Sequence, residues 1–281
     1  MATFTADPAA PPAALRRTAD RIRQRAASLG MAETRVAVRG GSVVVTGRST
    51  GDRLRALGAL GRLRFRPVLA RQDGGSATPQ PSGPAPQGRA AGRPPGADAS
   101  APPRTGSTGG PDALPPELLA RYRELDCSPG RADGAADQDA EAAVPVLACA
   151  PGASSGAPPA KFLLGPAVLT DTDVASAEAV NGTSGGAGWL VQLAFTSSGT
   201  AKFTEVTGRL AGNRDPQNQF AVVVDGEVVS APAVAQALTG GVAQISGGFT
   251  GRAARELAAR LNSGALPVAL TFAGATPVGG R

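Results

Sequence analysis

The sequence predicts an α+β protein, and three observations predict it. Apolar residues alternate with period two in short runs such as Trp189, Val191, Leu193 and Phe195, the pattern of a strand buried mainly on one face. They recur at three and four in others, such as Leu15, Ala19, Ile22, Ala26 and Leu29, the pattern of an amphipathic helix. Gly-Gly and Asp-Gly pairs punctuate the short runs, which is the turn chemistry of tight hairpins.

Taken in order, Ala2 to Ala6 reads as a strand. Pro11-Pro12 then starts a helix that Gly30 ends. Thr34 to Arg39 and Ser42 to Thr46 form a hairpin about Gly40-Gly41, with Val36 and Val38 on one face of its first strand. A short helix carries Leu54, Leu57 and Leu60, and the strand "LRFRPV" alternates Leu63, Phe65 and Val68. This order, β-α-β-β-α-β over residues 1–70, is that of a ferredoxin-like sandwich. From 71 to 116 Pro, Gly and Ser dominate with hardly an aliphatic side chain, so the span cannot bury enough surface to offset ordering and reads as a disordered linker.

A second block, 117–275, starts near Leu118 with an acidic, Ala-rich loop between the cysteines. "KFLLGPAVLTDTDVASAEA" follows as a strand, a turn and a polar connection; Asp171 and Asp173 are turn or cap residues. After the Trp189 strand, Ser197 or Ser198 is a plausible N-cap for a helix burying Phe203, Val206 and Leu210. Next comes "AVVVDGEVVSAP", in which Asp225-Gly226 makes a type I′ turn and Pro232 stops the second strand, lacking an N–H for the ladder. An Ala-rich helix over Ala233 to Leu238, a Gly240-Gly241 turn and the strand "VAQIS" lead to a last helix capped by Thr250, with Ala254, Leu257, Ala258 and Leu261 inward. The strand "ALPVALTFA" closes an α+β head around a mostly antiparallel sheet. Residues 251–275 are assigned to this head, the alternative being that they complete the N-terminal sheet.

Composition narrows function. The 281 residues include no histidine, which excludes Ser-His-Asp and Cys-His catalysis and every His-containing metal site. No P-loop stretch is present, and no carboxylate pair has an apolar setting, so the chain reads as a non-enzyme with no cofactor and no metal. The formal net charge is +6, but residues 1–70 hold 13 Arg against four acids, while the remainder holds 15 basic and 18 acidic groups. Nucleic acid or an anionic membrane surface is the functional reading of that excess. Because the arginines are not interleaved with aromatics and many fall on one helix, a solvated face is the reading adopted, with no nucleic-acid partner.

Cys127 and Cys149 read as a disulfide, which would stabilise the fold by roughly 3 kcal/mol in the chain-entropy model and place the segment outside the cytoplasm. Two free structural thiols are the alternative. Against export, "MATFTADPAAPPAALRR" lacks the charged and apolar regions of a secretory signal, and no run of about 18 apolar residues could span a membrane. The chain therefore reads either as a fragment of a membrane protein or as a product without its targeting segment, and a cytoplasmic location stays open.

Four linked motifs, "GWLVQLAFTSSGTAKFTEVT", "FAVVVDGEVVSAPAV", "GGVAQISGGFT" and "ELAARLNSGALPVAL", resemble in that order the first extracytoplasmic domain of SecD, a subunit of the SecDF protein-export complex. "RTADRIRQRAASLGMAETRV" and "LRFRPV" are similar to the start of that domain. The resemblance implies a base subdomain and a mobile head that captures unfolded secretory preprotein, with SecD/SecF or SecYEG-type membrane components as partners. It implies a place at the extracytoplasmic face of the cytoplasmic membrane, without proton-motor elements in this chain. Trp189, Val191, Phe203, Phe220, Val228, Val229 and Pro232 are the candidate preprotein cleft, where an apolar surface or free strand edge would receive an extended peptide. The alternative is an orphan interaction module that keeps the fold and has no export role.

Overall fold

The computed structural model describes residues 1–31, 33–74, 115–128, 142–150, 158–182 and 188–276. Most of the expected linker lies outside them. Its first residues do not read as linker, because the strand begun at Leu63 continues through Asp73.

The N-terminal unit follows the sequence closely. Strand β1 (Ala2–Ala6), helix α1 (Pro12–Ser28), strands β2 (Arg35–Arg39) and β3 (Ser42–Thr46) and helix α2 (Gly51–Leu57) enclose Phe4, Leu15, Ile22, Val36, Val43, Val45, Leu54 and Leu57. The sheet order is β13–β1–β3–β2, all antiparallel, where β13 is Leu270–Ala275. "LRFRPV" is thus not its fourth strand. That strand, β4 (Leu63–Asp73), carries Leu63, Phe65, Arg66 and Val68, all nearly inaccessible, so both of its faces need cover and an edge position could not supply it. The free edge of β1 is taken instead by β13, whose Phe272 packs edge-on to Phe4 with ring centroids 5.6 Å apart.

β4 enters a second sheet with β5 (Val146–Ala150), β6 (Ala160–Leu164), β7 (Leu169–Thr170), β10 (Phe220–Val224) and β11 (Glu227–Ser230). The order β10–β11–β5–β6–β4 closes through an antiparallel β4–β10 pairing, making a small barrel in which β11 and β5 run parallel. Its interior is filled by Val68, Val146, Ala148, Phe162, Leu164, Ala221, Val223 and Val228. β5 was not foreseen: "VLACA" is short and small, but it is buried on both faces, by the barrel interior and by helix α3 (Pro116–Glu124), whose Leu118, Leu119 and Tyr122 cover Leu147, Cys149 and Leu163.

The third sheet, β12–β9–β8, is antiparallel, with β8 Val174–Asn181, β9 Trp189–Phe195 and β12 Val242–Phe249. β8 replaces the expected polar connection. Its Ala177 and Ala179 turn inward with Val191 and Leu193, while Ser176 and Glu178 face out. Helices α4 (Ser197–Leu210) and α5 (Gly251–Ser263) complete this core with Phe203, Val206, Leu210, Ala254, Leu257 and Leu261, and the outer wall of β4 and β10 closes it with Phe65 and Phe220. The segment 251–275 is therefore divided: α5 stays with the head sheet and β13 returns to the N-terminal one.

Two local expectations are corrected. The cap of α4 is Thr196, whose hydroxyl accepts from Gly199 N at 3.0 Å, one residue before the expected serines. Ala233 to Leu238 is not a helix. So short a segment after Pro232 forms too few helical bonds to offset nucleation, and its groups bond outward. Val234 N donates to Asn218 O, Leu238 N to the Thr207 hydroxyl, and Leu238 O accepts from the Thr204 hydroxyl.

Candidate functional site

The hairpin turn at Asp225-Gly226 has φ of 52° and 90°, both positive, as a type I′ turn requires. Asp is among the few non-glycine residues that enter the left-handed region, and the Asp225 carboxylate is held by distant partners: Oδ1 accepts Arg62 N at 2.7 Å and Oδ2 meets Arg260 Nη1 at 3.5 Å. Beyond the turn, β12 bulges. Ile245 pairs with Val191 and Phe249 with Trp189, so Ser246, Gly247 and Gly248 together face the single residue Leu190. The bulge carries Gly247 so close to β11 that a Cβ there would lie 3.0 Å from Val229 O.

Between the turn, β11, the end of β12 and α5 opens a cleft of ≈ 170 Å³. Val224, Val229, Phe249, Ala253 and Leu257 give it an apolar floor, and Asp225, Glu227, Glu256 and Arg260 a charged rim. Arg252 Nε donates to Glu256 at 2.8 Å, one turn back along α5. Among the described residues no cluster of His, Cys, Asp or Glu could hold a metal ion. An apolar floor with a polar rim is suited to holding a side chain of an extended segment.

Of the residues expected at such a cleft, Val229 lines it. Val191, Phe203 and Phe220 lie in the head core, with Phe203 and Phe220 ring centroids 5.9 Å apart, and Val228 points into the barrel. Trp189 is half-buried, packed on the backbone of Gly251, with the Arg255 guanidinium 5.3 Å from its ring centroid. Pro232 is exposed past the end of β11, and its carbonyl accepts Phe220 N at 3.1 Å. Phe249, Ala253 and Leu257 were not foreseen as lining residues. The signal was Gly247-Gly248 before Phe249, a pair within a strand run that marks a bulge.

Behind the cleft, Arg25 of α1 is fully buried where three segments meet. Its guanidinium donates to Leu57 O, Ala59 O and Leu60 O after α2, to Gly264 O after α5 and to the Ser263 hydroxyl. Burial, and next the Arg260 charge, push its pKa down to about 9, so it stays charged at neutral pH. On the far side of the barrel Cys127 and Cys149 form a disulfide, with Cα atoms 5.5 Å apart, that ties the end of α3 to β5.

Comparison with known proteins matches these features to one group. Residues 150–268 match the family described as SecDF, P1 head subdomain. The protein translocase subunit SecD of Streptomyces coelicolor is 47% identical over 156 residues, covering 56% of this chain and 27% of that protein. SecDF of Thermus thermophilus is 43% identical over 116 residues, covering 41% and 15%. The chain thus spans about a quarter or less of the length of these relatives. A solved structure of SecDF, described as a membrane component that enhances protein export, superposes with a TM-score of 0.56 at 27% identity over 99% of both chains. SecDF in its super-membrane-facing form gives 0.56 at 26% identity, covering 97% of this chain and 29% of that one. The chain is accordingly similar to SecD and SecDF, and its residues 150–268 match the SecDF P1 head subdomain.

Proposed function

We propose that this chain is a SecD-like extracytoplasmic module that binds unfolded preprotein and assists its translocation across the cytoplasmic membrane. The reading is carried by the likeness to the SecDF export component along nearly the whole chain, linker aside. In it, the β13–β1–β3–β2 sheet with α1 and α2 is a ferredoxin-like base, and the P1 head with its cleft is the binding part. The apolar floor of Val229, Phe249 and Leu257 receives side chains of an extended segment, while SecD/SecF or SecYEG-type membrane components are its partners. Binding, not catalysis, is the activity assigned, and proton conduction is left to those membrane components. The disulfide supports an oxidising compartment, which fits the extracytoplasmic face.

The test is fluorescence anisotropy of a labelled secretory preprotein, unfolded and folded, with the oxidised chain. Micromolar binding selective for the unfolded form, weakened by Val229→Asp in the cleft, is expected. Absence of binding at roughly millimolar chain, a free energy of about −4 kcal/mol, would refute capture and leave an interaction module without an export role.

A further inference from the structure

Four of the thirteen arginines of residues 1–70, Arg16, Arg17, Arg35 and Arg39, lie on helix α1 and strand β2 along one flank of the N-terminal unit. β2 is the outer strand of its sheet, so among the described residues one of its edges has no strand beside it. β1 and β2 point the same way, since each is antiparallel to β3, and α1, which joins them, runs back against both. Arg23 Nη2 of α1 donates to Val36 O of β2 at 2.7 Å, which sets the outer side of the helix over that edge. Positions early in α1 therefore lie beside positions late in β2. Arg16 and Arg17 stand about 10 Å along the helix from Arg23 at ~1.5 Å per residue. Arg39 stands about 10 Å along the strand from Val36, in the same direction.

Arg35 and Arg39 leave the strand on the face opposite the helices, where Ala37, Val44, Thr3 and Thr5 form an open surface without acids. Arg16, Arg17, Arg35 and Arg39 are all exposed, and none is ion-paired among the described residues. Asp20 is spent on Arg23, and Glu33 on Arg48 at 3.1 Å. Charged residues on an edge strand also guard against edge-to-edge pairing, which would account for Arg35 and Arg39. It does not account for Arg16 and Arg17, which sit on a helix.

We propose that this flank docks on an anionic phospholipid surface. The proposal rests on the reading that the chain works beside a membrane, and it adds which face meets the lipid and by what chemistry. The flank offers no exposed aromatic ring on which bases could stack, which disfavours single-stranded nucleic acid. Arginine stems can lie along the surface while the guanidinium groups reach phosphate oxygens. Each basic group near an anionic bilayer raises partitioning on the order of fivefold, so four unpaired ones raise it by roughly 10²–10³.

The test is sedimentation of the full oxidised chain with phosphatidylcholine vesicles, with and without about one third phosphatidylglycerol, at low and high salt. Binding is expected with the anionic vesicles, lost in high salt and absent with pure phosphatidylcholine. Arg16→Glu/Arg17→Glu and Arg35→Glu/Arg39→Glu should each reduce it at least tenfold with circular dichroism unchanged, while Arg209→Glu/Arg214→Glu on the head should not. Equal sedimentation with both vesicles, or Arg16→Glu/Arg17→Glu binding like the parent, would overturn the proposal. Tighter binding to a duplex oligonucleotide than to anionic vesicles would overturn it in favour of nucleic acid. Preprotein binding is measured without vesicles, so either reading can fail alone.

Discussion

Replacing Arg25 by methionine tests whether the buried guanidinium is what joins the N-terminal unit to the head. Methionine keeps much of the volume and removes every donor. Leu60 O would keep Leu266 N as a partner at 2.8 Å, and the Ser263 hydroxyl would keep Arg260 O at 2.9 Å. Leu57 O, Ala59 O and Gly264 O would lose the donor that Arg25 supplies. Gly264 O keeps the Ser263 hydroxyl at 3.4 Å, so two stranded carbonyls at about 1–3 kcal/mol each give a gross cost of roughly 2–6 kcal/mol. Removing a buried cation returns part of this as regained desolvation, so the expected net loss is about 1–3 kcal/mol. Urea unfolding followed by far-UV circular dichroism and by the fluorescence of Trp189, the single tryptophan, would read this as a lower midpoint. Hydrogen exchange should quicken first at Leu266 N, which bridges the two crossings. If Arg25→Met unfolds within about 0.5 kcal/mol of the parent, the cation's burial cost cancels its hydrogen bonds and the junction is held by apolar packing alone.

Three further outcomes are expected. Reducing Cys127–Cys149, which closes 22 positions, should cost about 3 kcal/mol and expose the α3 segment to protease, read by limited proteolysis with and without reductant; equal digestion would contradict the staple. Tyr122, the single tyrosine, has its pKa pushed up to about 12 by burial and then by the Asp73 charge. The folded state therefore holds a proton that the unfolded state releases from pH about 10 upward, so stability falls as pH rises from 10 to 12, and an ultraviolet phenolate titration should move back toward 10 when the disulfide is reduced and α3 leaves the barrel. Gly251→Ala would put a Cβ 2.6 Å from Trp189 Cε2; displacing that ring should cost about 1–3 kcal/mol and red-shift its emission, and an unchanged spectrum would mean the helix start moves instead.

Most of the elements were legible because their signals are local. The α1 stripe and the Asp225-Gly226 turn need nothing beyond a few neighbouring residues. β5 and β8 were not legible for the opposite reason: "VLACA" and "VASAEAVN" have weak strand preference, and each becomes a strand only through long-range pairing, with β6 and with β9. The fourth place in the N-terminal sheet failed on topology. Leu63, Phe65 and Val68 have the right period for it, but period cannot tell which of two sheets a strand joins. The cue was Arg66 between two inward positions. An arginine at 2% exposure needs an interior with carbonyls to meet, and Val144 O at 2.7 Å and Gly165 O at 2.9 Å supply it in the barrel. For the candidate cleft, burial was what the sequence left unread: Val191, Phe203 and Phe220 lie in the head core. Phe203, Phe220 and Val191 were chosen for being apolar and near the hairpin, and those same properties put them in the core.

The chain crosses between the N-terminal unit and the rest twice in its described part, through residues 58–62 and 264–269, and Asp225 lies where the cleft meets both crossings. One of its oxygens receives Arg62 N, at the end of the first crossing. The other faces Arg260 on α5, four residues before the second crossing begins, and both Asp225 and Arg260 line the cleft. Arg25 links the two crossings directly, and its acidity answers to Arg260 and Asp225. The head cleft and the junction are thus built from shared side chains. The positive φ at Asp225 and Gly226 sets the turn, and Arg62 N and Arg260 Nη1 hold the carboxylate between them, so any shift of either crossing moves a group on the rim of the cleft.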